Sequence, residues 1–446
     1  MKRPLLARTL TIATVAILVL LPIRMIDDKI SERRARAESV ASQFAAETSG
    51  PQLVAGPFLA LTCEETTTVQ RTEIHAGKAE TVHDRKVGRC TTEFFTPKTF
   101  QATGSMPVDT LHRGLYTIRR FRAPIELSGE FAFPGAPPSD ATASRRWKHA
   151  YLVTYVRDSR GIKAIASNIS TDLVTNTEDG TLQGFPVREA IAGDPAALEG
   201  TRLPFRYTMT LAGTASFAVA AVGDRSDVRL SSDWPHPSFG TDWSPDERRI
   251  DAKGVDATWH VSSVASGGQA AWRRIIEQGK LQSAPAAGFS LYDPVNIYTL
   301  SYRATEYAFL FVLFTFAALA LAEVTAGIRL HPVQYALVGS AIAVFFLLLI
   351  ALSEHIAFGT AYLAASAACV ALLGFYLRHP LGTTARAAVF TSLFAGLYAM
   401  LYALLLSEDN ALLMGSAATF ALLAFAMIAT RKVDWPALSL AIAAKA

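Results

Sequence analysis

Hydrophobic positions follow two different patterns along this chain. Six stretches are apolar almost throughout: roughly Leu10–Ile26, Ala304–Thr325, Gln334–Leu352, Phe358–Leu377, Ala387–Leu406 and Ala411–Thr430. At about 1.5 Å per residue, a helix of about 20 residues matches a hydrocarbon core of about 30 Å. A helix is required there because every backbone donor and acceptor must be satisfied without water. Between the first two stretches the pattern changes to alternation with a period of two, as in Phe205–Leu211, Pro124–Phe133, Tyr151–Arg157, Val228–Ser232, Ala257–Val264 and Val295–Leu300. Short alternating segments separated by turn residues predict strands with one buried face. Ala270–Gly279 has a helical period, and residues 29–44, free of Gly and Pro, read as a helix leaving the first apolar stretch. The fold class expected is therefore an α-helical membrane protein with six transmembrane helices and a large, mostly antiparallel β domain.

Charge then fixes the orientation. Lys2, Arg3 and Arg8 precede the first stretch, Arg329 and His331 follow the second, Arg378 and Arg386 follow the fourth, and Arg431, Lys432 and Lys445 follow the sixth. The two opposite connections hold no Lys or Arg, only Glu354 in one and Glu408 and Asp409 in the other. Cationic loops are retained in the cytosol, so both termini are expected there and the β domain across the membrane. The division expected is 1–26 as an anchor, 27–303 as the exported β domain, 304–430 as a five-helix membrane domain and 431–446 as a cytoplasmic tail. Ala35-Arg36-Ala37 has the small-x-small form of a cleavage site. It lies beyond a heavily charged run, so the first stretch reads as a retained anchor. The net charge of +4 follows from these loops and gives no reason to expect nucleic acid.

Of three cysteines, Cys369 lies among Ala and Val of the fourth stretch, whereas Cys63 and Cys90 fall in the exported part. An oxidising compartment allows these two to form a disulfide. The densest chemical cluster is Ser231–Phe239. Two prolines around His236 make a rigid turn presenting Asp233, Trp234, His236 and Phe239. Asp233 is placed to orient the imidazole, but anchoring of a crossing loop on a sheet is the stronger reading of these residues. His260 is a candidate metal ligand without a recognised spacing, so no metal site and no cofactor are expected. Asp158–Ile162 reads as a hairpin-like turn with its glycine at positive φ. Arg303, Glu306, Glu354 and His355 stand at the outer ends of spans, where anchoring at the interface is the default role and ligand binding the alternative. No nucleophile elbow, zinc-protease motif or phosphate loop is present, so no catalytic residue is assigned.

Ser231–Phe239 (SSDWPHPSF), Asp293–Leu310 and Arg329–His355 resemble signature segments of the CreD family of bacterial inner-membrane proteins. Asp158–Ile162 and Asp434–Pro436 are similar to weaker landmarks of that family, and the match is collinear over nearly the whole chain. The resemblance implies a multi-pass protein of the inner membrane with a role in envelope integrity and the envelope stress response. It implies no reaction. The function expected is non-enzymatic. The partners expected are the lipid bilayer and an envelope protein or cell-wall component held by the periplasmic β domain. Two alternatives stay open: a membrane-surface enzyme on peptidoglycan or lipid precursors, using Asp233, His236, His260, Glu354 and His355, and a lipid- or solute-handling transporter lined by Arg303, Glu306 and Glu354.

Overall fold

A computed structural model describes residues 4–75, 78–139, 143–169, 184–293, 297–326, 330–407 and 411–431. Lys2, Arg3, Arg329, Glu408, Asp409, Lys432, Lys445, Asp434–Pro436 and nearly all of the polar stretch Thr175–Gly184 lie outside the described residues. The chain divides into two compact units, Met1–Ser39 with Val295–Ala446, and Val40–Pro294.

In the second unit, the strands in chain order begin with β1 (Gln52–His75), β2 (Lys78–Arg89), β3 (Glu93–Phe95), β4 (Thr99–Met106), β5 (Val108–Arg113), β6 (Tyr116–Ala132), β7 (Ala143–Val156) and β8 (Ile162–Ser167). They continue with β9 (Val187–Ala190), β10 (Arg202–Thr214), β11 (Ser216–Val219), β12 (Arg225–Ser232), β13 (Pro237–Ser238), β14 (Glu247–Asp251), β15 (Gly254–Ser262) and β16 (Ala287–Leu291). One sheet runs β13-β16-β11-β1-β7-β9, with β2 and β3 also on β1; the other runs β14-β15-β12-β4-β6-β10-β8, with β5 on β6. Both sheets are mixed. β1 pairs parallel with β11 and β4 parallel with β12, while the other described pairings are antiparallel. Period-two alternation looks the same in either direction, so the expectation of antiparallel sheets had no means of detecting these two crossovers.

Alternation sorts the side chains as it should. Along β4, Phe100, Ala102 and Met106 point inward while Gln101, Thr103 and Ser105 face solvent. The inner faces of both sheets share one core in which Phe100, Phe131, Tyr207, Phe217, Trp259 and Phe289 are almost wholly buried. Burial of each such ring contributes roughly 2–3 kcal/mol. Cys63 on β1 and Cys90 after β2 are joined by a disulfide with a Cα separation of 5.1 Å. The polar excursion between them is the β1–β2 hairpin.

Three helices border the sheets. The long α1 (Pro4–Glu47) ends in this unit, and α2 (Ser263–Ser266) and α3 (Gly268–Glu277) follow β15. Asp158–Ile162 differs from its expected form. Ser159–Gly161 is a 3₁₀ turn, with Asp158 Oδ1 accepting from the Arg160 N–H. Gly161 is not at positive φ. A glycine is required for space, because a Cβ there would lie 2.1 Å from Gln52 Nε2 and 2.3 Å from the Ala212 carbonyl oxygen.

The first unit contains the start of α1 with α4 (Ile297–Glu306), α5 (Ala308–Ala326), α6 (Pro332–Ser353), α7 (Phe358–Leu377), α8 (Thr384–Leu406) and α9 (Ala411–Thr430). Among the described residues four helices are long and apolar enough to cross a membrane. They become five when α4 and α5, bent by 43° at Tyr307, count as one span. α9 is a further apolar helix of 20 residues. Val295–Leu300, expected as a strand, lies largely in α4. Tyr298, Leu300, Ser301, Ala304 and Thr305 are its buried residues, a helical face that six alternating residues are too few to reveal. α6 begins with a capping box between His331 and Gln334. Where α1 passes α6, a Cβ at Gly339 would lie 2.3 Å from Val19 Cγ2, so glycine sets the closeness of the contact.

Candidate functional site

The loop after β12 is held from several sides. The Ser232 hydroxyl donates to the Met106 carbonyl at 2.6 Å and accepts from the Trp234 N–H at 3.1 Å. Asp233 Oδ1 accepts from the Val108 N–H at 2.8 Å. The Trp234 indole N–H donates to the carbonyls of His236 (3.0 Å) and Tyr292 (2.9 Å). The Arg119 guanidinium lies 4.1 Å from the indole centroid and contacts Asp293 at 2.8 Å. Phe239 packs on Trp259 and Phe289. Trp234 and Phe239 are therefore anchors, and the side chains of Asp233 and His236 remain exposed.

The proposed pairing of Asp233 with His236 is not made. Asp233 is bonded to backbone, and the His236 ring stands edge-on to Trp234. His260 is held by Asp227 at 2.6 Å, a contact that raises the imidazole pKa above its ordinary value. Among the described residues no cluster of His, Cys, Asp or Glu has the arrangement of a metal site.

Asp233 instead lines a cleft of about 390 Å³ at the ends of β4 and β12, with Ser105, Ser231, Arg249, Lys253 and Asp256. Gly254, at φ +132, shapes it: a Cβ would lie 1.9 Å from the Ser232 carbonyl oxygen. Asp256 is shared with Arg229 at 3.1 Å, and Arg249 stands 3.8 Å from Asp251. Both signs of charge are present, with hydroxyls beside them, which suits a polar ligand bound by hydrogen bonds. Sequence reasoning reached Asp233 and Ser231 but missed Ser105, Arg249, Lys253 and Asp256. Those four share no motif and meet only through the parallel β4–β12 pairing and the β14–β15 hairpin.

In the helical unit, Glu354 forms the C-cap of α6 and its side chain is only 8% exposed. Arg33 of α1 approaches it at 3.6 Å, an ion contact too long for a hydrogen bond. His355 is exposed and its N–H donates to the Leu352 carbonyl. Arg303 lies in the last turn of α4 and Glu306 ends that helix, exposed. Beside them the Thr305 hydroxyl donates to Asp27 Oδ1 at 2.8 Å, and Asp27 stands 4.0 Å from Arg24. These contacts tie α1 to α4 and α6, a role for its charged run that the sequence pattern did not disclose. Between α7 and α8 lies a separate apolar groove of about 490 Å³ lined by Gly359, Tyr362, Leu363, Ala395, Tyr398 and Tyr402.

Several membrane-length apolar helices joined to a large mixed-sheet domain define an integral membrane protein with one substantial polar domain. The family model "Inner membrane protein CreD" matches residues 4–436. Inner membrane protein CreD of Escherichia coli (strain K12) is 31% identical over 455 aligned residues, covering 99% of this chain and 96% of that protein. The chain belongs to the CreD family of inner membrane proteins. No solved structure matches it.

Proposed function

We propose that this protein is a non-enzymatic component of envelope integrity and the envelope stress response in the bacterial inner membrane. It crosses that membrane six times, with both termini in the cytosol, and its β domain, in the periplasm, holds an envelope component. The observation that carries this reading is the Asp233 cleft. It is built from one of the segments by which the chain resembles its family, its anchors are fixed by packing, and its exposed groups suit binding better than catalysis. The loop charges support the orientation. A photo-crosslinker placed at exposed His236, followed by mass spectrometry of captured material from whole cells, tests it. Capture of a periplasmic protein or cell-wall fragment is expected. Cytosolic proteins alone among the products would overturn the reading.

A second reading, lipid handling, is favoured by the groove between α7 and α8. Two of the lining tyrosine hydroxyls are satisfied internally, Tyr362 donating to the Tyr398 carbonyl and Tyr398 to Cys369 Sγ, which leaves a largely apolar groove suited to an acyl chain.

A further inference from the structure

The Asp233 cleft does not end at Ser105 and Ser231. Both residues also line a second depression of about 470 Å³ on the solvent face of the β8-β10-β6-β4-β12 part of the same sheet. Its floor is made of small side chains: Ala166 stands opposite Thr208, and Ala164 opposite Thr210. The next strands contribute Pro124 and Glu126 from β6 and Thr103 from β4. With the cleft, which reaches Asp256 on β15 and Arg249 on β14, the trough crosses seven strands. Six spacings of about 4.8 Å make it about 29 Å long.

The chemistry of this face selects among ligands. Arg206 pairs with Glu126 at 2.7 Å and Arg229 with Asp256 at 3.1 Å, so these charges largely offset one another across the face and favour neither an anion nor a cation. Ile125, Met209, Met106 and Val255 border the trough but are buried in the core beneath it, and Ile165 is half-buried, so the exposed apolar surface offered to an acyl chain is mainly Ala and Pro. A peptide added as a strand needs an open edge, whereas β10, β6, β4 and β12 are paired on both sides and present side chains only. Apart from Lys253 and the loosely paired Arg249 at the cleft end, what remains unengaged is hydroxyl: among the described residues the side chains of Thr103, Ser105, Thr208 and Thr210 have no partner within the protein. Hydroxyls alternating with small, flat apolar patches match the mixed faces of a sugar ring.

We infer that this trough binds an extended, uncharged glycan strand, with Asp233, Arg249 and Lys253 at one end reading a terminal or substituent group. The inference rests on the reading of the β domain as an envelope-binding module and names the ligand class of that same site.

The test uses the full chain in lipid nanodiscs and, as probe, the β-1,4-linked hexamer of N-acetylglucosamine, followed by isothermal titration calorimetry. The wild-type protein binds the hexamer. Thr208→Lys, which fills the trough, and the double variant T103A/T208A, which removes two hydroxyls without adding bulk, each weaken binding by about tenfold or more. Gln101→Lys, an exposed position on the same face outside the trough, stays within about twofold of wild type. No binding of the hexamer, or equal binding by all variants, overturns the inference, as does binding of an extended peptide in the trough with the hexamer excluded. If the His236 crosslinker still captures a periplasmic component while the hexamer fails, the glycan assignment falls and the envelope-binding reading stands.

Discussion

A carboxyl group taken out of water either gives up its charge or finds partners, because an isolated buried charge costs many kcal/mol. Glu189 on β9 is 1% exposed between the two sheets. Burial raises its pKa above the ordinary glutamate value, and nearby Ser167 and Tyr207 only partly oppose this. Glu189 Oε2, the Tyr207 hydroxyl and Thr154 Oγ1 are all buried outside good hydrogen-bond geometry. A carboxyl with a folded pKa above its unfolded value of about 4.3 stabilises fully below that value and loses its contribution as pH rises through the folded pKa. Glu189→Gln keeps the volume and removes the titration. Relative to wild type, its thermal midpoint is expected to rise as pH increases above the unfolded carboxyl value of about 4.3. A difference between variant and wild type that stays flat over that range would refute the assignment.

At the scale of elements, the end of α1 shows how a short motif acts through its neighbours. The last turn of any helix leaves carbonyls without intrahelical donors, and a cation there is favourable. Arg160 supplies both needs, donating to the carbonyls of Ala45 and Ala46 while pairing with Asp158 at 2.7 Å. Asp158 also accepts from the Gly50 N–H, and Arg113 bridges to Glu47 at 2.9 Å. Hydrogen bonding from Arg160 holds the Asp158 pKa down at about 2. Its contribution to stability is therefore complete above the unfolded value of about 3.9 and disappears as pH falls through the folded value. Asp158→Asn is expected to cost about 2 kcal/mol at neutral pH and only a small fraction of that near pH 2, with hydrogen exchange at residues 45–50 accelerating first. Unchanged exchange there at neutral pH would show the clasp to be idle.

For the whole molecule the orientation of the helices is the quantity to measure. With Cys63 and Cys90 bridged and Cys369 buried, single introduced cysteines can be read by an impermeant thiol reagent. His355→Cys is expected to label in intact spheroplasts, whereas Arg386→Cys labels only after permeabilisation; both native side chains are exposed. The reverse pattern would invert the topology and with it the place of the β domain.

The amino-acid pattern alone determined the apolar helices, the strand-rich middle of the chain and the family, whereas it only allowed the Cys63–Cys90 bridge that the structure makes. The first three depend on local periodicity or on a short run of residues. The bend between α4 and α5 and the parallel neighbours β1–β11 and β4–β12 were decided only by tertiary structure. So was the Asp233 cleft, whose wall joins Ser105 to Lys253 and Asp256. Periodicity records which way a side chain faces, but not which distant strand lies beside it. Neighbours brought together by chain crossover follow from the closing of a shared core, and they exist only once the chain is folded.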